Sequence, residues 1–153
     1  MSDGYFIDEL DKRIINFLMS NARIPFLEIA RECNISGAAV HQRVQKLEEA
    51  GVLTGSRFTI NEEVLGYKTK AFVGVFFERA NMYPVFKGEI EKIEEIIECH
   101  FTTGKYAVLI KVCCMDNQHL KKVLLRIHEL EGVSSTETLI SIEQPIFREI
   151  KIS

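Results

Sequence analysis

The 153-residue sequence is short of the features that would assign it at a glance. No uninterrupted apolar stretch approaches the ~18–20 residues that a membrane helix needs, so no membrane association is expected. The opening Met1-Ser2-Asp3-Gly4-Tyr5 has neither the basic n-region nor the apolar h-region of a secretory signal, and a cytoplasmic location is expected. Net charge is only −3 and hydrophobic residues make up 46%, which excludes a disordered polyampholyte. A pI near 5.8 speaks against a strongly basic nucleic-acid coat but leaves room for a local basic patch. Cysteines number four, Cys33, Cys99, Cys113 and Cys114, with no CxxC pair and no histidine at zinc spacing, so neither a metal site nor a disulfide framework is expected. In a strand, Cys113 and Cys114 point to opposite faces, which suits buried reduced thiols; a vicinal redox switch is the alternative.

What is present begins with helices. Ile7, Leu10, Ile14 and Phe17/Leu18 recur at steps of three and four, the apolar stripe of an amphipathic helix. Asp8, Glu9 and Asp11 crowd its first turn, where the helix dipole favours negative charge, and Asn21 is its stop. A second helix is predicted from Pro25 to about Cys33, with Phe26 or Leu27, Ile29 and Ala30 inward. Asn34-Ile35-Ser36-Gly37 reads as a turn, with Asn34 tolerating the left-handed conformation and Ser36 capping a third helix. That helix buries Val40, Val44 and Leu47 and ends at Ala50-Gly51. Two short helices joined by such a turn form a helix-turn-helix.

Charge placement then points to DNA. Met1–Arg57 holds seven basic and eight acidic residues, yet Ser36 to Leu47 holds no carboxylate. Its outward positions are read as His41, Gln42, Arg43, Gln45 and Lys46. Gln and Arg can pair bidentately with adenine and guanine edges, and Lys46 can neutralise a phosphate. The bland alternative is a small helical domain with an ordinary polar face. Val52 to Ile60 suggests two short strands around Thr54-Gly55-Ser56, a wing from which Arg57 reaches a phosphate.

Beyond a polar connector at 61–68, the pattern changes to a strand–helix–strand unit used twice. Lys70 to Phe77 is a strand apolar on both faces. Phe86, Ile90, Ile93 and Ile97 form a helical stripe opposite Glu89, Glu91, Glu94, Glu95 and Glu98, carboxylates read as a solvated face rather than a metal site. Glu98–Thr102, Tyr106–Cys114 and Thr136–Ile142 are further strands. A second helix carries Leu120, Val123/Leu124, Ile127 and Leu130, and Gly132 stops it. The order βαββαβ is the ferredoxin-like split arrangement, with both helices on one face of a four-stranded antiparallel sheet. The other face would expose a large apolar patch unless a second copy covers it, so sheet-to-sheet dimerisation is expected.

Ile7-Asp8-Glu9-Leu10-Asp11-Lys12-Arg13-Ile14-Ile15, then Ile35-Ser36…Val40…Arg43-Val44…Leu47-Glu48…Gly51-Val52, then Thr103-Gly104-Lys105-Tyr106 and Gly132-Val133…Thr136-Glu137-Thr138 occur in that order. Over residues 5–145 this combination resembles the Lrp/AsnC (leucine-responsive, or feast/famine) family of transcription regulators. The resemblance implies an α+β chain: a winged helix-turn-helix at 1–60, the connector at 61–68, and a ferredoxin-like (RAM-type) effector-binding and oligomerisation domain at 69–153. It implies double-stranded DNA as partner, with Ser36, Ala38, His41, Gln42, Arg43, Gln45, Lys46 and Arg57 contacting it. It further implies homodimers, often assembled into tetramers of dimers, and an amino-acid effector bound near contacts between dimers. Thr103, Gly104, Lys105, Tyr106, Ala107, Thr136 and Thr138 would line that effector site, and no cofactor is required. One departure is Ala107, where many members carry an aspartate suited to a ligand's ammonium group; its absence points to a different or weaker ligand, or to none.

Two other classes stand beside this reading. An enzyme would draw on Cys99, Cys113, Cys114, His100, His119 and His128, but Cys99 and His100 point to opposite faces of a strand and no phosphate-cradling glycine loop occurs. The other class is a ligand sensor or assembly protein on the same scaffold that does not bind DNA, against which the carboxylate-free third helix argues.

Overall fold

The computed structural model describes residues 5–153; Met1–Gly4, part of the segment read above for targeting features, lie outside the described residues. The chain forms two units, Met1–Thr59 with Ile146–Ser153, and Ile60–Pro145. Ile146–Ser153 therefore groups with the first unit, not with the ferredoxin-like one as expected. The Asn16 amide pairs with this tail at both ends: its Nδ2 donates to the Ile152 carbonyl (2.8 Å) and its Oδ1 accepts from the Ile152 N–H (3.2 Å).

Three helices make the first unit: α1 (Glu9–Ser20), α2 (Phe26–Cys33) and α3 (Gly37–Glu49). Asp8 caps α1 in a reciprocal box with Asp11, each carboxylate accepting the other's backbone N–H at 2.8 and 3.2 Å. Asn21 ends α1, as its position suggested. Pro25 is the N-cap of α2 rather than its first helical residue. Asn34 takes the left-handed conformation (φ 56°), donates its N–H back to α2, and turns the chain so that Ser36 can cap α3. Ile14, Ile29, Ala30, Cys33, Val40 and Val44 form the core, with Phe26 packed against it, whereas Leu27 is exposed.

The expected wing is not built from strands. Val52–Ile60 forms no strand and pairs with none among the described residues. Its β-branched residues fit an extended backbone, and the ladder that would close a hairpin across Thr54-Gly55-Ser56 is missing. Arg23 instead lies over the exposed Phe58 ring, 4.4 Å from its centroid.

The second unit has β1 (Thr69–Phe77), a short 3₁₀ turn (Ala80–Met82), α4 (Tyr83–Ile90), β2 (Ile96–Phe101), β3 (Val108–Cys114), α5 (Asn117–His128) and β4 (Val133–Ile140). The strands form one antiparallel sheet ordered β2-β3-β1-β4, the ferredoxin-like arrangement. Period-two alternation divides its residues between two faces. Ala71, Val73, Val75, Val108, Ile110, Val112 and Cys114 pack under Phe86, Ile90, Leu120, Val123 and Ile127 from the helices. Phe86 is fully buried, worth roughly 1.5–3 kcal/mol of transfer free energy. α4 is shorter than its apolar stripe implied. Ile93 is buried in the turn after it, while Ile97 and Glu98 belong to β2, whose backbone bonds to β3.

The opposite face carries Phe72, Phe76, Leu109 and Leu139, with no helix over it. Lys111 lies among them, only 11% exposed and paired with Glu98 at 2.8 Å. Cys113 is buried on this face and Cys114 on the other, both as free thiols. Burial raises both, Cys114 to about 11, far from the reactive thiolate that a redox switch requires.

Candidate nucleic-acid interface and effector loop

The geometry of α3 follows from its two ends and its buried stripe. Ser36 accepts the Ala39 N–H through Oγ (3.1 Å), so its hydroxyl is occupied in capping. With Val40, Val44 and Leu47 inward, Ala38, His41, Gln42, Gln45 and Lys46 are left exposed. His41 meets the Phe26 ring edge-on (5.9 Å), and Gln45 donates to Glu49 at 2.9 Å. Arg57 is exposed in the irregular segment that follows.

Arg43 has carboxylate partners within the unit. Its Nη1 donates to Asp8 Oδ2 and to Asp11 Oδ1, both at 2.8 Å. Asp11 is only 1% exposed, and its other oxygen accepts from the Tyr5 hydroxyl (3.0 Å). Hydrogen bonds from the Asp11 N–H and from Arg43 hold the Asp8 carboxyl below its usual range, and the two carboxylates push the Arg43 guanidinium up. Nη1 is thus engaged by two carboxylates, while the Arg43 side chain stays 30% exposed. Asp8, Asp11 and Tyr5 were not foreseen as its partners.

In the second unit, the loop between β2 and β3 is tied at its base. The Thr102 hydroxyl donates to the Tyr106 carbonyl (2.6 Å), and the Ala107 N–H donates to the Val75 carbonyl (3.0 Å). Gly104 sits at φ +127°, a conformation that favours glycine. Lys105 Nζ donates to both oxygens of Glu137 (2.6 and 2.8 Å), and the Tyr106 hydroxyl donates to the same carboxylate (2.7 Å). Those bonds hold Glu137 below its usual range and raise Lys105 and Tyr106. An open cleft of about 400 Å³ lies beside the loop, lined by Gly104, Lys105, Tyr106 and Ala107 with Phe76, Arg79 and Phe101.

Thr136 and Thr138 do not join this group within one chain. They pair with Val75 and Val73 on the helix-covered face, whereas Glu137 between them lies opposite Gly74 on the open face. Thr136 borders a separate apolar groove against α5, with Leu120, Leu124 and Ile140. Glu137, Arg79, Phe76 and Phe101 are the loop's neighbours that sequence reasoning missed. The TETLI alternation alone would have placed Glu137 opposite to its flanking threonines. The histidines and cysteines considered for catalysis are dispersed: among the described residues no group of three or more His, Cys, Asp or Glu side chains is placed to hold a metal.

A three-helix helix-turn-helix unit and a ferredoxin-like unit with a tied glycine loop combine the architecture of a DNA-binding module with that of a small-molecule-binding module. The sequence matches the AsnC-type helix-turn-helix domain over residues 7–48 and the Lrp/AsnC ligand binding domain over residues 70–150. It is 38% identical to the regulatory protein AsnC of Escherichia coli (strain K12), over 97% of this chain and 99% of that one. It is 30% identical to the transcriptional regulator FL11 of Pyrococcus furiosus, with 90% of each covered. Among solved structures, E. coli AsnC superposes with a TM-score of 0.93, covering 97% of this chain and all of that one. A feast or famine regulatory protein from M. tuberculosis, solved with L-methionine, superposes at 0.89 with 26% identity, covering 96% of this chain and all of that one. The chain belongs to the Lrp/AsnC family of transcriptional regulators, and it is a DNA-binding regulator, not an enzyme.

Proposed function

We propose that this regulator reads duplex DNA through Ala38, His41, Gln42, Gln45 and Lys46 of α3, with Arg57 on a phosphate, and that a small effector adjusts its binding. The observation that carries the DNA contact is the exposed side of α3, because Ser36 to Leu47 contains no carboxylate. Its test is a salt titration of binding to a duplex from upstream of its own gene. Each lost phosphate contact lowers the slope of log K against log salt by about 0.9, so Lys46→Ala flattens it. A slope unchanged in Lys46→Ala and Arg57→Ala alike removes both contacts.

The chain acts as an oligomer. Phe72, Phe76, Leu109 and Leu139 on the helix-free sheet face are the surface for a second copy, and a dimer delivers two recognition helices to two half-sites. Dimers associate further, as a tetramer of dimers, and act on DNA in the cytoplasm.

The effector is an amino acid held at the 103–107 loop between subunits. The M. tuberculosis relative was solved with L-methionine. Lys105 and Arg79 suit a carboxylate, and Glu137 is an anion within the loop's own hydrogen-bond network. Thr136 and Thr138 contribute to such a site from another subunit. A thermal-shift screen of the twenty amino acids beside light scattering tests this: one ligand should raise the midpoint and change particle mass. No response to any of them overturns amino-acid sensing at Ala107-containing loops of this kind.

A further inference from the structure

We propose that Arg43 is a positioning residue for DNA recognition: by bridging Asp8 and the buried Asp11 it fixes the rotation of α3 against the start of α1, and so aims the exposed face of α3. This rests on the reading that α3 contacts DNA.

Three observations meet here. Arg43 lies three residues after Val40 and one before Val44, about 60° from Val40 around the helix, whereas Gln42 lies about 160° away. The arginine therefore stands on the flank of the packed stripe, not on the outward face. One nitrogen, Nη1, bonds carboxylates from two positions a turn apart, Asp8 at the N-cap and Asp11 within the first turn, at 2.8 Å each. Asp11 is 1% exposed and accepts from Arg43, the Asp8 N–H (3.2 Å) and the Tyr5 hydroxyl (3.0 Å), so its carboxylate has no freedom to follow a rotating partner. A two-point attachment to a fixed, buried anion opposes rotation of α3 about its own axis. Packing of Val40, Val44 and Leu47 opposes it less sharply, because apolar contacts are non-directional.

Direct contact and positioning make opposite predictions for the carboxylates. If Arg43 touched DNA, Asp11→Asn would free the guanidinium and remove a nearby negative charge, and binding would hold or tighten. If Arg43 positions α3, Asp11→Asn weakens specific binding although the protein becomes more positive.

The experiment uses the full chain, with affinity measured against a duplex from upstream of its own gene and a scrambled duplex of equal length and composition. Circular dichroism in the same buffer gives the folded fraction, to which affinities are corrected. Arg43→Ala and Asp11→Asn should each lower the ratio of specific to scrambled affinity about tenfold, the scale of one lost base contact. The scrambled affinity and the salt slope should stay unchanged, and the double variant should be no worse than the weaker single one, because both changes open one bridge. A merely structural role would lower both uncorrected affinities together through the folded fraction, and leave the corrected affinities and their ratio intact. Asp8→Ala, at a 41% exposed carboxylate, carries the same test if Asp11→Asn does not fold. A ratio preserved in the carboxylate variants, or a salt slope that falls by about 0.9 in Arg43→Ala, overturns the proposal. If Lys46→Ala flattens the slope while Asp11→Asn keeps the ratio, only the positioning role falls; if the wild type binds neither duplex, the DNA reading of α3 falls and takes this with it.

Discussion

The Tyr106 ring packs against Gly74, occupying the space that a Cβ at position 74 would need. Gly74 pairs with Leu109 on one side and Glu137 on the other, so the ring crosses the sheet to reach the Glu137 carboxylate with its hydroxyl. Gly74→Ala should therefore expel the ring, cost about 1–3 kcal/mol as overpacking does, and break the Tyr106–Glu137 bond. A lowered thermal midpoint that Tyr106→Ala partly restores in the double variant would confirm the shared space. A midpoint unchanged in Gly74→Ala would show that the ring moves freely.

The helix-turn-helix corner turns on Asn34, at φ 56°. A residue with a Cβ pays roughly 1–2 kcal/mol there, and asparagine offsets part of that through its short polar side chain. Asn34→Ala should destabilise the chain by about 1 kcal/mol and Asn34→Gly should be neutral or mildly stabilising. Denaturant midpoints decide it, and equal midpoints for the two variants would contradict the backbone argument.

Glu95 accepts from His119 Nε2 (2.9 Å) and from Arg126 (3.3 Å), while His119 Nδ1 accepts the Met115 N–H. The hydrogen bond from His119, then Arg126, holds the Glu95 carboxyl below its ordinary 4.5. A carboxyl lowered by folding contributes stability that is fully present above 4.5 and disappears as pH falls through the lowered folded value. Thermal midpoints of wild type and Glu95→Gln should thus differ at pH 7 and converge under acid. A gap that persists well below pH 4 would rule out the charge as its source.

Leu139 is 57% exposed on the helix-free sheet face. Leu139→Lys should leave the fold of the subunit intact and weaken association, because it places a charge within the apolar surface of the proposed contact. Sedimentation velocity at micromolar concentration should show a smaller species with an unchanged circular dichroism spectrum. A sedimentation coefficient identical to wild type would place the dimer contact elsewhere.

Features written in local sequence were legible, and those that depend on distant partners were not. Val40, Val44 and Leu47 announced α3 because a helix repeats every three to four residues, and Ser36 announced its start. The partners of Arg43 were not legible: its spacing from Val44 put it on the flank of the stripe, but the carboxylates it meets lie 32 and 35 positions away. Val52–Ile60 has the composition of strands, yet composition cannot supply the neighbour that a ladder needs. Ile97 fell on a helical stripe by spacing alone, and the pairing of β2 with β3 decided otherwise. The effector loop was visible as Thr103-Gly104-Lys105-Tyr106. Its anchor, Glu137, was not, because the residues that joined it to the loop are 31 and 32 positions apart in sequence.

Because Ile146–Ser153 groups with the first unit, the ferredoxin-like unit is an insertion within it, entered at 59/60 and left at 145/146. Cleavage at the first crossing yields a 60–153 fragment that carries the tail as a foot on α1, gripped at Ile152 by the Asn16 amide. Cleavage at the second instead strands that foot as an eight-residue peptide on the recognition unit. A protease would therefore report different products according to which crossing it finds, and Asn16→Ala would alter the first outcome by loosening the foot.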